Sequence, residues 1–444
     1  MQFLSKIKKK LGTIFYTISA FVIQHKTITA VIVAIIAAVI AAAILVTSIL
    51  SAPASVMNSN LSSFTSDFSS QPEIMASSQE DISSDEAPVS SDESSAQPQP
   101  ESSTVETVTS EVVVTPPANT PTDVVSVQPI KSRHEVSEES ESFNITLSFA
   151  GDMILATNNY QNYEGSFNSY AATHEPSYFL EKVRPIFESD DFTIVNLENV
   201  LTDRQLTPVY KDYSPAFWFG SKSSNINILS CSGIEGAMID NNHIRDYGAE
   251  GYNDTVQAIK NAGMIYGDSS QIMYFEKGGY VVSVICSKMW SEYQANNIIN
   301  LIKIAEQHSH YQVVLFHGGT EKIHAPEEWK CRAARKIVDN GADLVIGGHP
   351  HVLQPREIYN GAEIVYSIGN FCYGGHRQPE NRTIIYQMTL TVGRDLTLQS
   401  RNSEIIPCYV YTSTYNNYQP AVVDDETIKN RILDFMDGKI DSPV

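Results

Sequence analysis

Five short segments of this chain set metal-compatible side chains where an apolar run ends. They are Gly151-Asp152, Asn196-Leu197-Glu198, Asp240-Asn241-Asn242-His243, His317-Gly318-Gly319 and Gly347-Gly348-His349-Pro350-His351. Imidazole and carboxylate together suit a divalent Mn, Fe or Zn ion. One carboxylate can bridge two ions, and a pair about 3.5–4 Å apart clamps the attacking and leaving oxygens of a phosphoryl transfer. An Asn oxygen ligates without charge and leaves net positive charge for an anionic substrate. Each segment alone has a plainer reading. Gly-Asp is a turn, Asn-Asn-His with Asp246 is a helix cap, and His317 is a structural strand end. All five in chain order point to one convergent site holding one or two ions.

Such a site needs elements that bring five ends together. Apolar runs at Ile145–Ala150, Phe192–Leu197, Gly236–Ile239, Val313–Phe316 and Leu344–Ile346 each lead into one of the segments. Further runs lie at Tyr280–Cys286 and Ile364–Ile368. Helical patterns alternate with them at Pro176–Glu188, Gly251–Asn261, Asn297–Gln307, Pro326–Asp339 and Asp424–Met436. Apolar strands between amphipathic helices predict an α/β fold, with sheets covered by helices. In open α/β sheets, ligands gather at the carboxyl ends of strands. Strands near Thr383–Val392 and Thr397–Val410 have no helix between them and predict a mixed sheet.

The rest of the chain reads differently. Formal net charge is −21, which excludes nucleic acid as a partner because phosphate backbones require Lys and Arg. Residues 1–26 carry Lys6, Lys8, Lys9, Lys10 and Lys26 and no acid, a basic cytoplasmic N-terminus. Residues 27–50 carry no charge, long enough to span a hydrocarbon core of about 30 Å as a transmembrane helix. The Lys-rich flank orients this signal-anchor with its N-terminus inside and the rest of the chain outside. The alternative is secretion after cleavage near Ala52-Pro53-Ala54. Residues 51–142 are rich in Ser, Glu and Pro and predict a disordered acidic linker. The globular domain then covers 143–412, followed by a C-terminal helix and tail over 413–444. Five cysteines without a CxxC predict no disulfide framework.

These motifs, in this order, resemble the CapA family, bacterial poly-γ-glutamate capsule synthesis proteins within the calcineurin-like metallophosphoesterases. Tyr366-Ser367-Ile368-Gly369-Asn370-Phe371 is similar to the family's strand and turn after His-Pro-His, and Asp254-Thr255 with Ala262-Gly263 to the stretch after Asn-Asn-His. The resemblance covers about 144–410. It implies a four-layer sandwich, two mixed β-sheets flanked by helices. It implies that Asp152, Glu198 and His351 hold one metal, and that Glu198 bridges to a second held by Asn242, His317 and His349. His243 would be the general acid or phosphate-orienting imidazole, with Asp246 orienting it. Asn196, Asn241 and Glu321 would stand behind the ligands or add to them. The chain departs from the family pattern at four places. Ile154 stands where related enzymes carry His, Gly348 and the pair Gly318-Gly319 replace larger residues, and Lys330 stands for Gln.

Three functions compete. The first is a metal-dependent phosphoesterase or hydrolase acting on a cell-surface polymer or lipid-linked phosphate. The second is a non-catalytic scaffold that binds poly-γ-glutamate beside membrane synthase subunits at the cytoplasmic membrane. The third is a sugar- or wall-binding module. The missing His at Ile154 leans toward the second.

Overall fold

The computed structural model describes residues 128–444. The basic N-terminus, the 27–50 segment and most of the 51–142 linker lie outside the described residues. Among the described residues, no helix is long and apolar enough to cross a membrane.

Two mixed sheets pack face to face. The first runs in the order Ile130–Lys131, Met273–Lys277, Tyr280–Lys288, Tyr311–His317, Leu344–Gly348, Ala362–Ile368, Leu353–Tyr359. The second runs Ala421–Val422, Leu398–Tyr409, Thr383–Gly393, Ser142–Ile154, Phe192–Leu197, Gly236–Met238, Ile265–Gly267, with Asn370–Tyr373 added against Ser142–Ile154. The strands that lead into the five segments are all parallel to their sequence-adjacent neighbours in these sheets. Within each sheet their carboxyl ends emerge on one side, and the two sets meet where Asn196 Nδ2 lies 3.0 Å from His317 Nδ1.

Period-two alternation sorts the apolar runs into separate cores. On Ser142–Ile154, Phe143, Ile145, Leu147 and Phe149 face the opposite sheet, while Ala150 and Met153 face the outer helices. In the first sheet Val313 and Leu315 point inward, and Val314 and Phe316 point outward. Helices Ala295–Ala305 and Glu328–Val338 cover that outer face. Arg184–Ser189 and Gly248–Asn261 cover the outer face of the second sheet. Three apolar interlayers thus separate four layers, helix, sheet, sheet, helix, as expected.

Several boundaries shift. Residues 128–142, counted above with the linker, are built onto the domain. Ile130 pairs with Phe275, Ser132 N–H donates to Glu276 O at 2.9 Å, and Arg133 forms an ion pair with Glu235. Ile130 and Val136 pack against the core between the sheets, an apolar gain the local composition hides. The predicted helix Pro176–Glu188 is two pieces, a 3₁₀ turn at Pro176–Tyr178 and a helix at Arg184–Ser189. Pro185 has no N–H to continue a preceding helix and suits a first turn instead. At the other end, Ala421–Val422 extends the second sheet, and helix Glu426–Met436 buries Ile432, Phe435 and Met436 in the core between the sheets. The 413–444 tail thus belongs to the same core.

Candidate metal centre

Asp152 lies near the end of Ser142–Ile154, where a bulge between Ala150 and Asp152 interrupts the pairing with Phe192–Leu197. Gly151 makes the bulge possible. A Cβ there would sit 1.9 Å from Gly369 O, and the Asp152 N–H donates to that same oxygen at 2.9 Å. Glu198 follows the next strand. Asn241, Asn242 and His243 follow Gly236–Met238, His317 ends its strand, and His349 and His351 follow Leu344–Gly348. Both of these last histidines have positive φ, 94° and 59°, a conformation costing of order 1–3 kcal/mol each outside glycine. That strain turns two imidazoles two residues apart toward one centre.

The donors converge. Asn242 Oδ1 lies 2.7 Å from His317 Nε2, His349 Nδ1 lies 3.1 Å from the same nitrogen, and Glu198 Oε1 lies 3.3 Å from it. Neighbouring donors on a tetrahedral ion with bonds of about 2.0–2.2 Å stand about 3.4 Å apart, so the set is ion-sized. Asp152 Oδ2 lies 3.2 Å from His351 Nδ1, and His351 Nε2 lies 3.9 Å from Glu198 Oε1. Glu198 is fully buried, and neither of its oxygens receives a hydrogen bond. His317 Nε2 approaches one of them but is already met by Asn242. A buried, bare carboxylate is costly unless a cation meets it. The residues therefore fit a divalent ion. Among the described residues, two groups of three buried ligating atoms stand out, Asp152 with Glu198 and His317, and Glu198 with His349 and His351. Glu198 is common to both.

The electrostatics match. Burial pushes the Asp152 carboxyl up, but the His351 hydrogen bond and the His317 and His351 charges overcome it and hold it well below the usual range. Burial, reinforced by His317 and His351, holds His349 down to about 2, so its imidazole is neutral and ready to ligate. Burial also works against the charged form of His351, yet Glu198 and Asp152 lift it to about 9.

The supporting residues divide clearly. Asn196 Nδ2 lies 2.7 Å from Asp152 Oδ1 and 3.0 Å from His317 Nδ1, tying the two together. Asn241 commits its amide to the chain. Its oxygen accepts from the His243 and Ile244 N–H groups, and its nitrogen donates to Leu197 O and Asn196 Oδ1. Only Asn242 is left to face the cluster. Glu321 is exposed on the wall of the adjoining cavity, which His351 also lines, and its charge adds to those that lift His351. His243 Nδ1 meets Asp246 Oδ2 at 2.7 Å, which also accepts the Phe219 N–H at 2.8 Å. Ile154, where a further imidazole was missing, is fully buried against Phe219, Tyr373 and Val410. Lys330 is fully buried, and its Nζ donates to Gln354 Oε1 at 2.7 Å. Burial brings it down to about 8, against the pull of Glu327 and Asp152.

Four residues near the centre escaped the sequence reading. Lys211 Nζ lies 2.6 Å from Asp246 Oδ1, and Asn370 Oδ1 lies 3.0 Å from His351 Nδ1. The Tyr373 ring stands 5.1 Å from that of His351. Trp290, 38% exposed, stands edge-on to His349 with ring centroids 4.7 Å apart. Only Asn370 carried a signal, inside the motif after His-Pro-His. The others lie in loops or strands without a spacing to mark them.

Fold and cluster together define a class, a four-layer α/β sandwich with a buried His, carboxylate and Asn cluster at its strand ends. The chain belongs to the bacterial capsule synthesis protein PGA_cap family, whose model matches residues 146–374, just over half of the chain and all of the cluster. It is 27% identical to the PGA biosynthesis protein CapA of Bacillus subtilis (strain 168), over 57% of this chain and 69% of that protein. It is 25% identical to the capsule biosynthesis protein CapA of Bacillus anthracis, over 59% of this chain and 67% of that one. Among solved structures, a 5′-nucleotidase precursor from Thermus thermophilus is similar at a TM-score of 0.35 and 12% identity, over 59% of this chain and 54% of that one. This chain spans just over half of that structure, and a likeness so slight bears no weight.

Proposed function

We propose that this chain is a membrane-anchored, extracytoplasmic protein of capsule synthesis, export or attachment, serving poly-γ-glutamate, with a divalent-metal phosphoesterase-like centre. The carboxylate of Glu198, buried and bare among imidazoles, an amide and Asp152, is the observation that carries the centre. The family and the names of the two Bacillus relatives support the polymer. The resemblance implies that Asp152, Glu198 and His351 would hold one ion and Glu198, Asn242, His317 and His349 a second; the donor atoms also group as Asp152, Glu198 and His317, and as Glu198, His349 and His351, with Glu198 shared in either partition. A bound ion of the Mn, Fe or Zn kind would polarise a phosphoryl oxygen and offset charge building there. The chain's own residues do the remainder. Asp246 fixes the His243 imidazole through Nδ1, which leaves Nε2 to hold a proton for a leaving oxygen.

Ile154 favours a second reading, a scaffold that binds polymer beside membrane synthase subunits without turnover. Ile154 packs with Phe219, Tyr373 and Val410, and the imidazole that the resemblance leads one to expect at this position would be absent from the Asp152 half of the centre.

One pair of measurements on the detergent-purified chain separates these. Elemental analysis should find bound metal, and bis-p-nitrophenyl phosphate with Mn²⁺ should be hydrolysed by the parent but not by His317→Ala or His349→Ala. Metal without hydrolysis favours the scaffold. No metal, with both variants unchanged in stability and activity, removes the centre altogether. For the anchor, a mature chain starting near Ser55 would mean secretion.

A further inference from the structure

Beside the cluster lies a cavity of about 380 Å³, with His243 and His351 on the side nearest the metal ligands. Its walls are of two kinds. Phe217 and Phe219 form one, their rings parallel within 2° at 6.2 Å between centroids. Phe217 is 42% exposed, a large apolar face left to solvent at the mouth of a buried polar site. Gln378, Glu321 and Glu380 stand on the polar wall. Glu380 is held by His324, whose Nε2 lies 3.1 Å from Oε2, and the other Glu380 oxygen is buried with no partner.

Aromatic rings together with carboxylate and amide groups around one cavity suit one kind of ligand, a ring with C–H faces and hydroxyl edges. Glu321 and Glu380 also line the cavity, beside Lys322, His376, His243 and His351, so its polar lining is mixed in sign and a run of carboxylates would set like charges against both glutamates. We infer that this cavity takes the sugar ring of a sugar phosphate, stacked on Phe217, with the phosphate toward His243 and His351. The phosphate half of this inference rests on the metal centre proposed above; the sugar half does not.

Calorimetry on the detergent-purified chain with Mn²⁺ tests it. The probes are N-acetylglucosamine 1-phosphate, free N-acetylglucosamine, inorganic phosphate, adenosine 5′-phosphate and tri-γ-glutamate. The sugar phosphate should bind about tenfold more tightly than inorganic phosphate. That ratio should fall about tenfold in Phe217→Ala, and it should fall in Gln378→Ala, a change at an exposed side chain that leaves the core intact. Equal affinities, or a ratio unmoved in both variants, would overturn the inference. So would tighter binding of adenosine 5′-phosphate or tri-γ-glutamate than of the sugar phosphate. If inorganic phosphate fails to bind while free N-acetylglucosamine binds in a Phe217-dependent way, the metal centre falls and the sugar site stands. If none of the probes binds, both fall.

Discussion

Gly348 lacks a side chain where Asp152 occupies the space: a Cβ built there would stand 2.7 Å from Asp152 Oδ1. That oxygen also accepts from Asn196 and cannot retreat without losing the bond. The departure from the family pattern at Gly348 thus accompanies a close approach between the strand Leu344–Gly348 and the first carboxylate. Gly348→Ala should push Asp152 off its hydrogen bonds. Overpacking of this kind costs about 1–3 kcal/mol. The expected result is a lower thermal midpoint together with loss of bound metal, read by melting and elemental analysis. Full metal content in a stably folded variant would show that Asp152 is not held where it ligates.

Glu198→Gln should move two properties in opposite directions. In metal-free protein the carboxylate is buried with no hydrogen bond and has the His351 charge alone to offset its burial, so its removal should stabilise the fold, by about 1 kcal/mol. With metal supplied, the same change should remove the stabilisation an ion confers on the parent. Urea melts with and without Mn²⁺ check both. If the variant is less stable than the parent without metal, the His351 charge outweighs the cost of burying the Glu198 carboxylate.

Asp246 and Lys211 act on His243 and not on the ligands. Lys211 Nζ lies 2.6 Å from Asp246 Oδ1, and Asp246 Oδ2 lies 2.7 Å from His243 Nδ1. Asp246→Asn should therefore lower turnover of bis-p-nitrophenyl phosphate by about 10–100-fold while metal content stays at the parent level. Lys211→Met should lower it less and alter the pH profile of kcat. Loss of metal in Asp246→Asn would place His243 among the ligands.

How much of this was legible follows from what sequence spacing encodes. The strands into Asp152, Glu198, His317 and His349 were visible because burial on both faces makes a continuous apolar run, as in Phe192–Leu197. The helix Glu328–Val338 was visible because one face alone is buried. Leu353–Tyr359 was not, since Pro355, Arg356 and Glu357 give an antiparallel edge strand a polar texture. Ile130–Lys131 is too short to carry a period, and its partner Phe275 lies far along the chain. At the site, residue type marked Asp152, Glu198 and the three histidines. Asn196 and Asn370 were marked by the motifs that contain them, whereas the Lys211 link and the Trp290 edge come from tertiary packing, for which no local pattern exists.

Asp190 and Glu235 precede the strands Phe192–Leu197 and Gly236–Met238, at the opposite end of the sandwich from the cluster. Thr193 joins them, its hydroxyl donating to Asp190 at 2.7 Å and its N–H to Glu235 at 2.8 Å. Arg133, from the segment that leads into the domain, pairs with Glu235. Burial pushes both carboxyls up to about 7, against the hydrogen bonds from Thr193 and the Arg133 charge. Unfolded, they titrate near 3.8 and 4.5. Between those values and about 7 the folded state binds more protons, so their contribution is fully present below about pH 4 and fades as pH rises through 7. Asp190→Asn cannot ionise and escapes this loss. Its stability relative to the parent should grow from pH 4.5 to pH 7.5, by of order 1–3 kcal/mol. Urea midpoints of parent and variant across that range measure the difference. A difference that does not change with pH would mean that Asp190 stays ionised in the folded chain throughout.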